Sequence, residues 1–476
     1  MRILLFLFCI LSSFFLFSQE NGKPWSLQQC IEYALKNNIQ VKQNMLNEKT
    51  SEAALLQSKA QLLPNVSGNG SNAYNNGKKI DPFTNQFVNG SWTLSQNFSL
   101  SANLTIFGGL QTINTIKQNQ YNLMASQSDV QKMQNDISLN IASAYLQILL
   151  SEELLDVARN QADITKLQVE RTKKLVDVGN LPKGNLLDIQ SQSASEEVNV
   201  VTAENSLSLA SLNLVQMLNL DTIENFSIAK PEINLPADVI LNTTSGQVYD
   251  AALTRQPEIK SAEFKLKSSE RGISVARAGM FPRLTLGAGY GTGYSGDDVQ
   301  LVGTPTISSF TPNGYITSGG QLVEVPVYNN YTTQTVSYAN QYSSNLNKSV
   351  GFYLTVPIFN NLQVHTSVQN AKIARENAAL NLRLQKDNLR KTIQQAYNDA
   401  MSSLKKFQAT QKAVKAMEES FKYMDQKFTV GAATSTEYND SKNKLIKAKS
   451  DLLQSKYDCI FKMKVLDFYQ GKPITL

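Results

Sequence analysis

The sequence predicts a mixed α and β membrane protein of two similar halves, in which long coiled-coil helices join a small number of membrane strands per chain. Three observations carry this: a duplication at fixed offsets, helical stretches too long for a globular core, and strands whose apolar residues alternate with small uncharged ones. Ala34, Leu35, Val41, Lys42, Ala60 and Pro64 recur as Ala252, Leu253, Ile259, Lys260, Ala278 and Pro282, each 218 positions later. Ile106, Phe107, Leu110, Ala144, Tyr145, Val178, Gly179 and Asp188 recur as Ile358, Phe359, Leu362, Ala396, Tyr397, Val430, Gly431 and Asp440, now 252 positions later. The difference, 252 − 218 = 34, places the extra residues between Pro282 and Ile358. Internal duplication marks repeat architecture, which chemistry at a single site rarely needs.

Residues 1–19 read as a signal peptide, with Arg2, an apolar run from Ile3 to Phe17, then Ser18 and Gln19. A run of about 15 apolar residues is shorter than the roughly 20 that span a bilayer. No later apolar run approaches 18 residues, so any membrane spanning falls to strands. The first repeat occupies 20–220. Its opening helix is announced by Ser26 and Gln29, a capping box, and closed by Pro64. Two barrel strands follow within 66–106. A long helix then covers 110–178, with Ile137, Ile141, Ile148, Leu155 and Leu167 at helical separations. A tip turn at 179–184 and a return helix over 186–220 complete the half.

The linker 221–245 leads to the second repeat, 246–470. Here a helix precedes barrel strands within 283–358, interrupted by a long loop at 295–341. The long helix 362–430, the tip turn 431–436 and another return helix follow, and 471–476 is a C-terminal tail. Sixty-nine helical residues over 110–178 extend about 104 Å. The helix over 26–63 and the return helix, 38 and 35 residues, would reach about 110 Å if stacked, so two short helices can line one long one. Their many Gln, Asn, Ser and Lys residues leave each helix only a stripe to bury.

From Trp92 to Ile106 the pattern has period two. Trp92, Leu94, Phe98, Leu100, Ala102, Leu104 and Ile106 share one face, which only Gln96 interrupts; Thr93, Ser95, Asn97, Ser99, Ser101, Asn103 and Thr105 share the other. Small uncharged polar side chains suit a wet lumen, with the apolar face turned to lipid. Leu284 to Gly291 and Asn345 to Val356 repeat the pattern, and 66–74 is a weaker partner. Four strands cannot close a membrane barrel, because about eight is the smallest number and an open edge in lipid leaves backbone groups unsatisfied. The chain must assemble with copies of itself.

The order of elements, the duplication, the junctions Thr105-Ile106-Phe107-Gly108-Gly109 and Val356-Pro357-Ile358-Phe359-Asn360-Asn361, and the turns at Val178-Gly179 and Val430-Gly431 together resemble the TolC family of outer-membrane efflux proteins. The resemblance covers nearly the whole mature chain. It implies a homotrimer with a long α-helical coiled-coil barrel fused to a transmembrane β-barrel, four strands per protomer. The helices would form a tunnel in the periplasm below the outer membrane, and the duct would serve a tripartite efflux or type I secretion system. Val178, Gly179, Asn180 and Leu181 match one adaptor-docking tip, and Val430, Gly431, Ala432 and Ala433 the other. The implied partners are a periplasmic adaptor (membrane fusion protein), an inner-membrane pump of RND, ABC or MFS type, and outer-membrane lipid. A plainer reading of the tips is that any helical hairpin needs glycine where the backbone turns left-handed. Glu437 and Asp440 fall where the family's export channels carry carboxylate rings that narrow the tunnel; Asn185 and Asp188 are their counterparts in the first half. Thr434 followed by Glu437 is equally a capping box. The arginine and tyrosine that help close those channels are replaced here by Ala433 and Phe428, so a closed tip would rely on other contacts, such as apolar ones.

Other classes find little support. One histidine, His365, and two mature cysteines, Cys30 and Cys459, with no Walker loop, GxSxG or HExxH, argue against an enzyme; no cofactor or metal is implied. A net charge of +6 gives no nucleic-acid footprint. The basic groups Lys372, Arg375, Arg383, Lys386, Arg390 and Lys442, Lys444, Lys447, Lys449 read as solvated helix faces. An exported coiled-coil structural or adhesin protein is the alternative, and the strands with small polar faces argue against it. A cystine between Cys30 and Cys459 is open, as is their burial as free thiols.

Overall fold

The computed structural model describes residues 24–80, 85, 87–88, 92–221, 226–231, 243–304, 306–329 and 332–475. The expected signal peptide and much of the linker 221–245 lie outside them. By contacts the chain divides into two units, one of residues 1–52, 120–268 and 375–476, the other of 53–119 and 269–374.

The helices are α1 (Leu27–Asn37), α2 (Ile39–Ala60), α3 (Gln111–Asp177), α4 (Lys183–Leu218), α5 (Ser245–Arg255), α6 (Pro257–Arg277), α7 (Tyr338–Ser344), α8 (Gln363–Thr429) and α9 (Ser435–Tyr469). The strands are β1 (Asn65–Asn75), β2 (Lys79–Ile80), β3 (Phe87–Val88), β4 (Thr93–Gly108), β5 (Arg283–Ser295), β6 (Val299–Val302), β7 (Thr306–Ile316), β8 (Leu322–Asn329), β9 (Thr332–Thr335) and β10 (Asn347–Thr355). Helices α3 and α8 are 67 residues each.

Several expectations need correction. The single helix expected from Ser26 to Leu63 is two, because Asn38 leaves the helical region and its Oδ1 accepts from the N–H groups of Gln40 (2.9 Å) and Val41 (3.4 Å), starting a new helix. The second half breaks at the equivalent Gln256, ahead of Pro257 at the first position of α6. The return helix of the first half starts at Lys183, not 186, so the turn is shorter than 179–184. The loop 295–341 is not structureless: β6 pairs with β9, β7 pairs with β8, and α7 begins within it. Its Gly, Ser and Thr content concealed these ribbons.

The first unit holds two apolar clusters related by the duplication. One gathers Ile31, Ala34, Val41, Ile141, Tyr145, Leu214 and Leu218; the other gathers Val248, Ala252, Ile259, Ile393, Ala396 and Met463. Tyr145 is 1% exposed, and its hydroxyl donates to the carbonyls of Trp25 (3.1 Å) and Ala229 (2.6 Å). Trp25 also exchanges backbone hydrogen bonds with the stretch at Ser227 and Ala229. The described part of the linker is thus fastened to the stretch that leads into α1. Cys30 and Cys459 are free thiols in different clusters, and burial pushes the Cys30 thiol up to about 12.

In the second unit, an antiparallel sheet has the order β1-β4-β5-β10. One end connects through Pro64, Gly109, Pro282 and 356–362 to helices; the other carries the loops. At each strand-to-helix junction before α3 and α8 two consecutive residues are left-handed, Gly109 and Leu110 in one half, Asn361 and Leu362 in the other. A Cβ on Gly109 would meet the Ala278 carbonyl oxygen at 2.8 Å, so glycine is required there by space as well as by φ. Asn361, whose short polar side chain tolerates this region, serves in the second half.

Candidate functional site

The sheet has two chemically distinct faces. Rows across it read Val66, Ala102, Ala288, Val350, then Leu104, Leu286, Phe352, then Leu284, Leu354 on one side. On the other lie Ser67, Ser101, Gly289, Ser349 and Asn65, Asn103, Gly287, Gly351. The apolar face is open: Val350 is 77% and Phe352 69% exposed. Strands β1 and β10 each have a free outer edge in the described residues. The polar face continues at the helix-bearing end into a cleft lined by Gln57, Asn103, Thr105, Gln111, Thr115 and Arg283, and the Arg283 guanidinium donates to Thr105 Oγ1 at 3.1 Å.

The tips lie in the first unit and are built alike. Helix α3 ends with Gly179 at φ +79°, its N–H donating to the Val176 carbonyl (2.9 Å) while the Asn180 N–H donates to that of Leu175 (2.8 Å). Helix α8 ends with Gly431 at φ +77°, with Gly431 bonded to Phe428 (3.1 Å) and Ala432 to Lys427 (2.8 Å). Both are Schellman caps, related residue for residue by the 252 offset. A Cβ on either glycine would meet nothing within 4 Å, so the demand is on φ alone. Val178, Asn180, Val430 and Ala432 are exposed, Leu181 and Ala433 half-buried.

Beyond the tips the halves diverge. Helix α4 starts after Pro182 without a side-chain cap, whereas α9 starts with a capping box: the Glu437 N–H donates to Thr434 Oγ1 (3.3 Å) and the Thr434 N–H to Glu437 Oε2 (2.9 Å). Hydrogen bonds from the Thr434 backbone and hydroxyl hold the Glu437 carboxyl below its ordinary value. Asp440 is exposed and pairs with Lys444 at 2.6 Å. Asp188 is exposed, while Asn185 is half-buried. Leu181, Asn185 and Phe428 come together, lining a narrow crevice with Gln168, Ile189 and Tyr438. Phe428 stacks on Tyr438 with ring centroids 4.5 Å apart, and Phe421 packs on the same ring at 5.4 Å. The Tyr438 hydroxyl accepts from the Gln168 side chain, and burial pushes its phenol up to about 12.

Sequence reasoning missed the most buried polar cluster here. Lys442 does not lie on a solvated face; its side chain is 3% exposed and Glu196 4%. The Lys442 ammonium reaches Thr165 Oγ1 (2.5 Å) and Glu196 Oε1 (3.4 Å). Glu196 also accepts from Thr165 and from the Gln192 amide (3.0 Å). Burial lowers the Lys442 pKa, and the Glu196 carboxylate opposes that only in part. Lys386, another of the basic groups, pairs with Glu263 at 3.7 Å. Burial of one lysine out of four on a helix leaves no mark in a local pattern; only its distant partners, Thr165 and Glu196, distinguish it.

A profile of outer membrane efflux proteins matches residues 30–220 and 248–460, one segment for each half. The chain belongs to the outer membrane efflux protein family. TolC of Escherichia coli K12 is 22% identical over 447 residues, covering 91% of this chain and 79% of that protein. The probable efflux pump outer membrane protein TtgC of Pseudomonas putida KT2440 is 24% identical over 444 residues, covering 90% and 79%. Among solved structures, VceC of Vibrio cholerae superposes with a TM-score of 0.71 at 15% identity, covering 94% of this chain and 96% of that one. As a member of the outer membrane efflux protein family the protein is an outer-membrane efflux duct, not an enzyme. TtgC is named as part of an efflux pump, TolC-like efflux channels being ones that work with pump partners, and the adhesin alternative has no support.

Proposed function

We propose that three copies of the chain close one duct, and that a periplasmic adaptor docks on its helical tips and links it to an inner-membrane pump. The observation that carries this is the incomplete sheet: four strands with free edges at β1 and β10 and an exposed apolar face. Unpaired edge N–H and C=O groups are costly in hydrocarbon, and only closure removes both edges. Three copies of four strands make twelve, the number the TolC resemblance implies. The apolar face then meets lipid, the Ser- and Asn-lined face encloses water, and the helices extend into the periplasm.

Passage through the duct is passive, the driving energy coming from a pump of RND, ABC or MFS type. Val178, Gly179, Asn180, Leu181, Val430, Gly431, Ala432 and Ala433 form the docking tips; the shared cap geometry and exposed flanking residues support this. Glu437 and Asp440, with Asn185, Asp188 and Phe428 nearby, narrow the periplasmic end, where three copies bring like charges together. The test is native mass spectrometry of the detergent-extracted protein together with photocrosslinking from Gly179 and Gly431. A trimer that captures a periplasmic adaptor is expected; a water-soluble monomer overturns the assembly, and a trimer with no tip crosslink overturns the docking.

A further inference from the structure

The short helix α7 packs on the wrong side of the sheet for a plug in the pore. Its contacts run to residues of the apolar face. Tyr338 stacks on Tyr294 with centroids 4.0 Å apart and planes at 20°. Tyr342 meets Phe98 edge-on at 5.9 Å and donates its hydroxyl to Gln96 Oε1 at 2.5 Å. The Thr292 hydroxyl donates to the Tyr342 carbonyl at 2.7 Å. Gln96 pairs in register with Tyr294, and Phe98 with Thr292, in the same alternate rows as Leu100 with Tyr290 and Leu104 with Leu286. Gln96, the one polar interruption of the β4 apolar pattern, is thereby explained: its partner is a tyrosine from α7.

The attachment is firm and follows the edge of β5. Beyond Asn347, where β10 stops pairing, side chains replace the missing strand. Asn345 donates to the Gly293 carbonyl (3.0 Å), and Gln341 bonds both the N–H (2.8 Å) and the C=O (2.9 Å) of Ser295. Gln341 and Ser295 are both fully buried. Helix α7 itself, YANQYSS, carries no charge.

The apolar face also changes character along its length. The rows toward the helix-bearing end are purely aliphatic or aromatic, whereas the row of Leu100 and Tyr290 ends in Lys348, the one charged side chain on that face among the described residues. Lys348 Nζ lies over the Tyr290 ring, 5.9 Å from its centroid. Beyond it come Thr292, Tyr294, Gln96 and Asn72. A tyrosine belt and a lysine at the end of an apolar band mark the level at which hydrocarbon gives way to headgroups, since amphipathic rings and snorkelling cations settle there.

We propose that α7 lies outside the barrel wall, where with Tyr290, Tyr338 and Lys348 it forms an interfacial anchor that binds the phosphate headgroup layer of the outer leaflet. This rests on the reading that the apolar face meets lipid, and it adds a docking surface and its partner. Tyr338 and Tyr290 are each about half exposed, so their rings are available to headgroups, while Lys348 supplies the counter-charge for phosphate. The anchor would fix the height of the barrel in the bilayer.

Nitroxide labels test it on the full chain reconstituted in vesicles of phosphatidylcholine and phosphatidylglycerol, with a gadolinium-chelate headgroup lipid as the probe. Ala339→Cys reports on α7, Val350→Cys on the apolar face and Ser349→Cys on the polar face. The expected result is strong relaxation of the Ala339 label by the headgroup probe, oxygen access at Val350 and aqueous-chelate access at Ser349. If Ser349 and Val350 behave as expected but the Ala339 label is untouched by the headgroup probe, the anchor is overturned while the duct stands. If Ser349 and Val350 do not differ, the lipid-face reading falls first and takes the anchor with it. Lys348→Gln should lower phosphatidylglycerol enrichment around the Ala339 label by up to roughly fivefold, the effect of about one surface cation; unchanged enrichment overturns the phosphate contact.

Discussion

Replacing Lys442 by methionine would leave Glu196 charged, buried and without its cation. The side chains are 3% and 4% exposed, so water cannot compensate. Breaking a buried pair from one side costs about 3–5 kcal/mol, whereas removing both charges together is often neutral or better. For the double variant Glu196→Gln with Lys442→Met, the amide still accepts from Thr165, so near-recovery is expected. The pH dependence has a definite sign. Lys442 has a folded pKa lowered from 10.5 mainly by burial, so the charged form penalises folding below the folded pKa. That penalty is relieved as pH rises from the folded value toward 10.5. Because a chain of two units does not unfold in one step, the readout is hydrogen exchange at the amides of α4 and α9. The single variant should speed local opening by roughly a hundredfold to several thousandfold, the equivalent of those 3–5 kcal/mol, and the double variant should restore protection. Unchanged exchange in Lys442→Met, or a double variant as labile as the single one, would refute the reasoning.

Other outcomes follow from the same geometry. Gly431→Ala and Gly179→Ala should each destabilise their tip by about 1 kcal/mol through the left-handed φ alone, with Gly431→Asn milder, read as faster exchange of the last turn of α8. Tyr145→Phe leaves the Ala229 carbonyl without the hydroxyl, while the Trp25 carbonyl keeps the Ala229 N–H, and should cost about 1–3 kcal/mol, seen as earlier proteolysis near Ala229. Glu437 has a depressed folded pKa, so its capping contribution is complete above 4.5 and disappears as pH falls through the folded value; α9 should fray at its start in acid, and Glu437→Gln should remove that pH dependence. Under the constriction proposal, Glu437→Ala with Asp440→Ala should raise leak or alter ion selectivity in planar bilayers, and unchanged conductance and selectivity would remove the proposal.

Much of this fold was legible because the information was periodic. The strand pattern of β4, with seven small polar residues opposite its apolar set, announced a two-faced sheet, and the recurrence of Val178-Gly179 as Val430-Gly431 announced two caps with one geometry. What escaped notice was aperiodic. Asn38 breaks a helix through its own side chain, a signal that Pro257 repeats in the second half. The ribbons between 299 and 335 mix short apolar stretches such as Val299–Val302 and Leu322–Asn329 with Ser-, Thr- and Gly-containing ones, and their pairing depends on partners rather than composition. Lys442 is buried because α3 and α4 place Thr165 and Glu196 opposite it, and no window of sequence around 442 contains that fact. Gln96 looked like a flaw in a strand until Tyr342, 246 residues away, supplied its hydrogen bond.

The central claim is that one copy holds an unfinished sheet which identical copies complete. Cysteine pairing across the free edges tests it most directly: Asn69→Cys on β1 combined singly with Asn347→Cys, Ser349→Cys and Gly351→Cys along the polar positions of β10, oxidised in native membranes. A register-dependent crosslink between neighbours, with a covalent ladder ending at three chains, is the predicted result. Crosslinks confined to single chains, or none at any register, would contradict it.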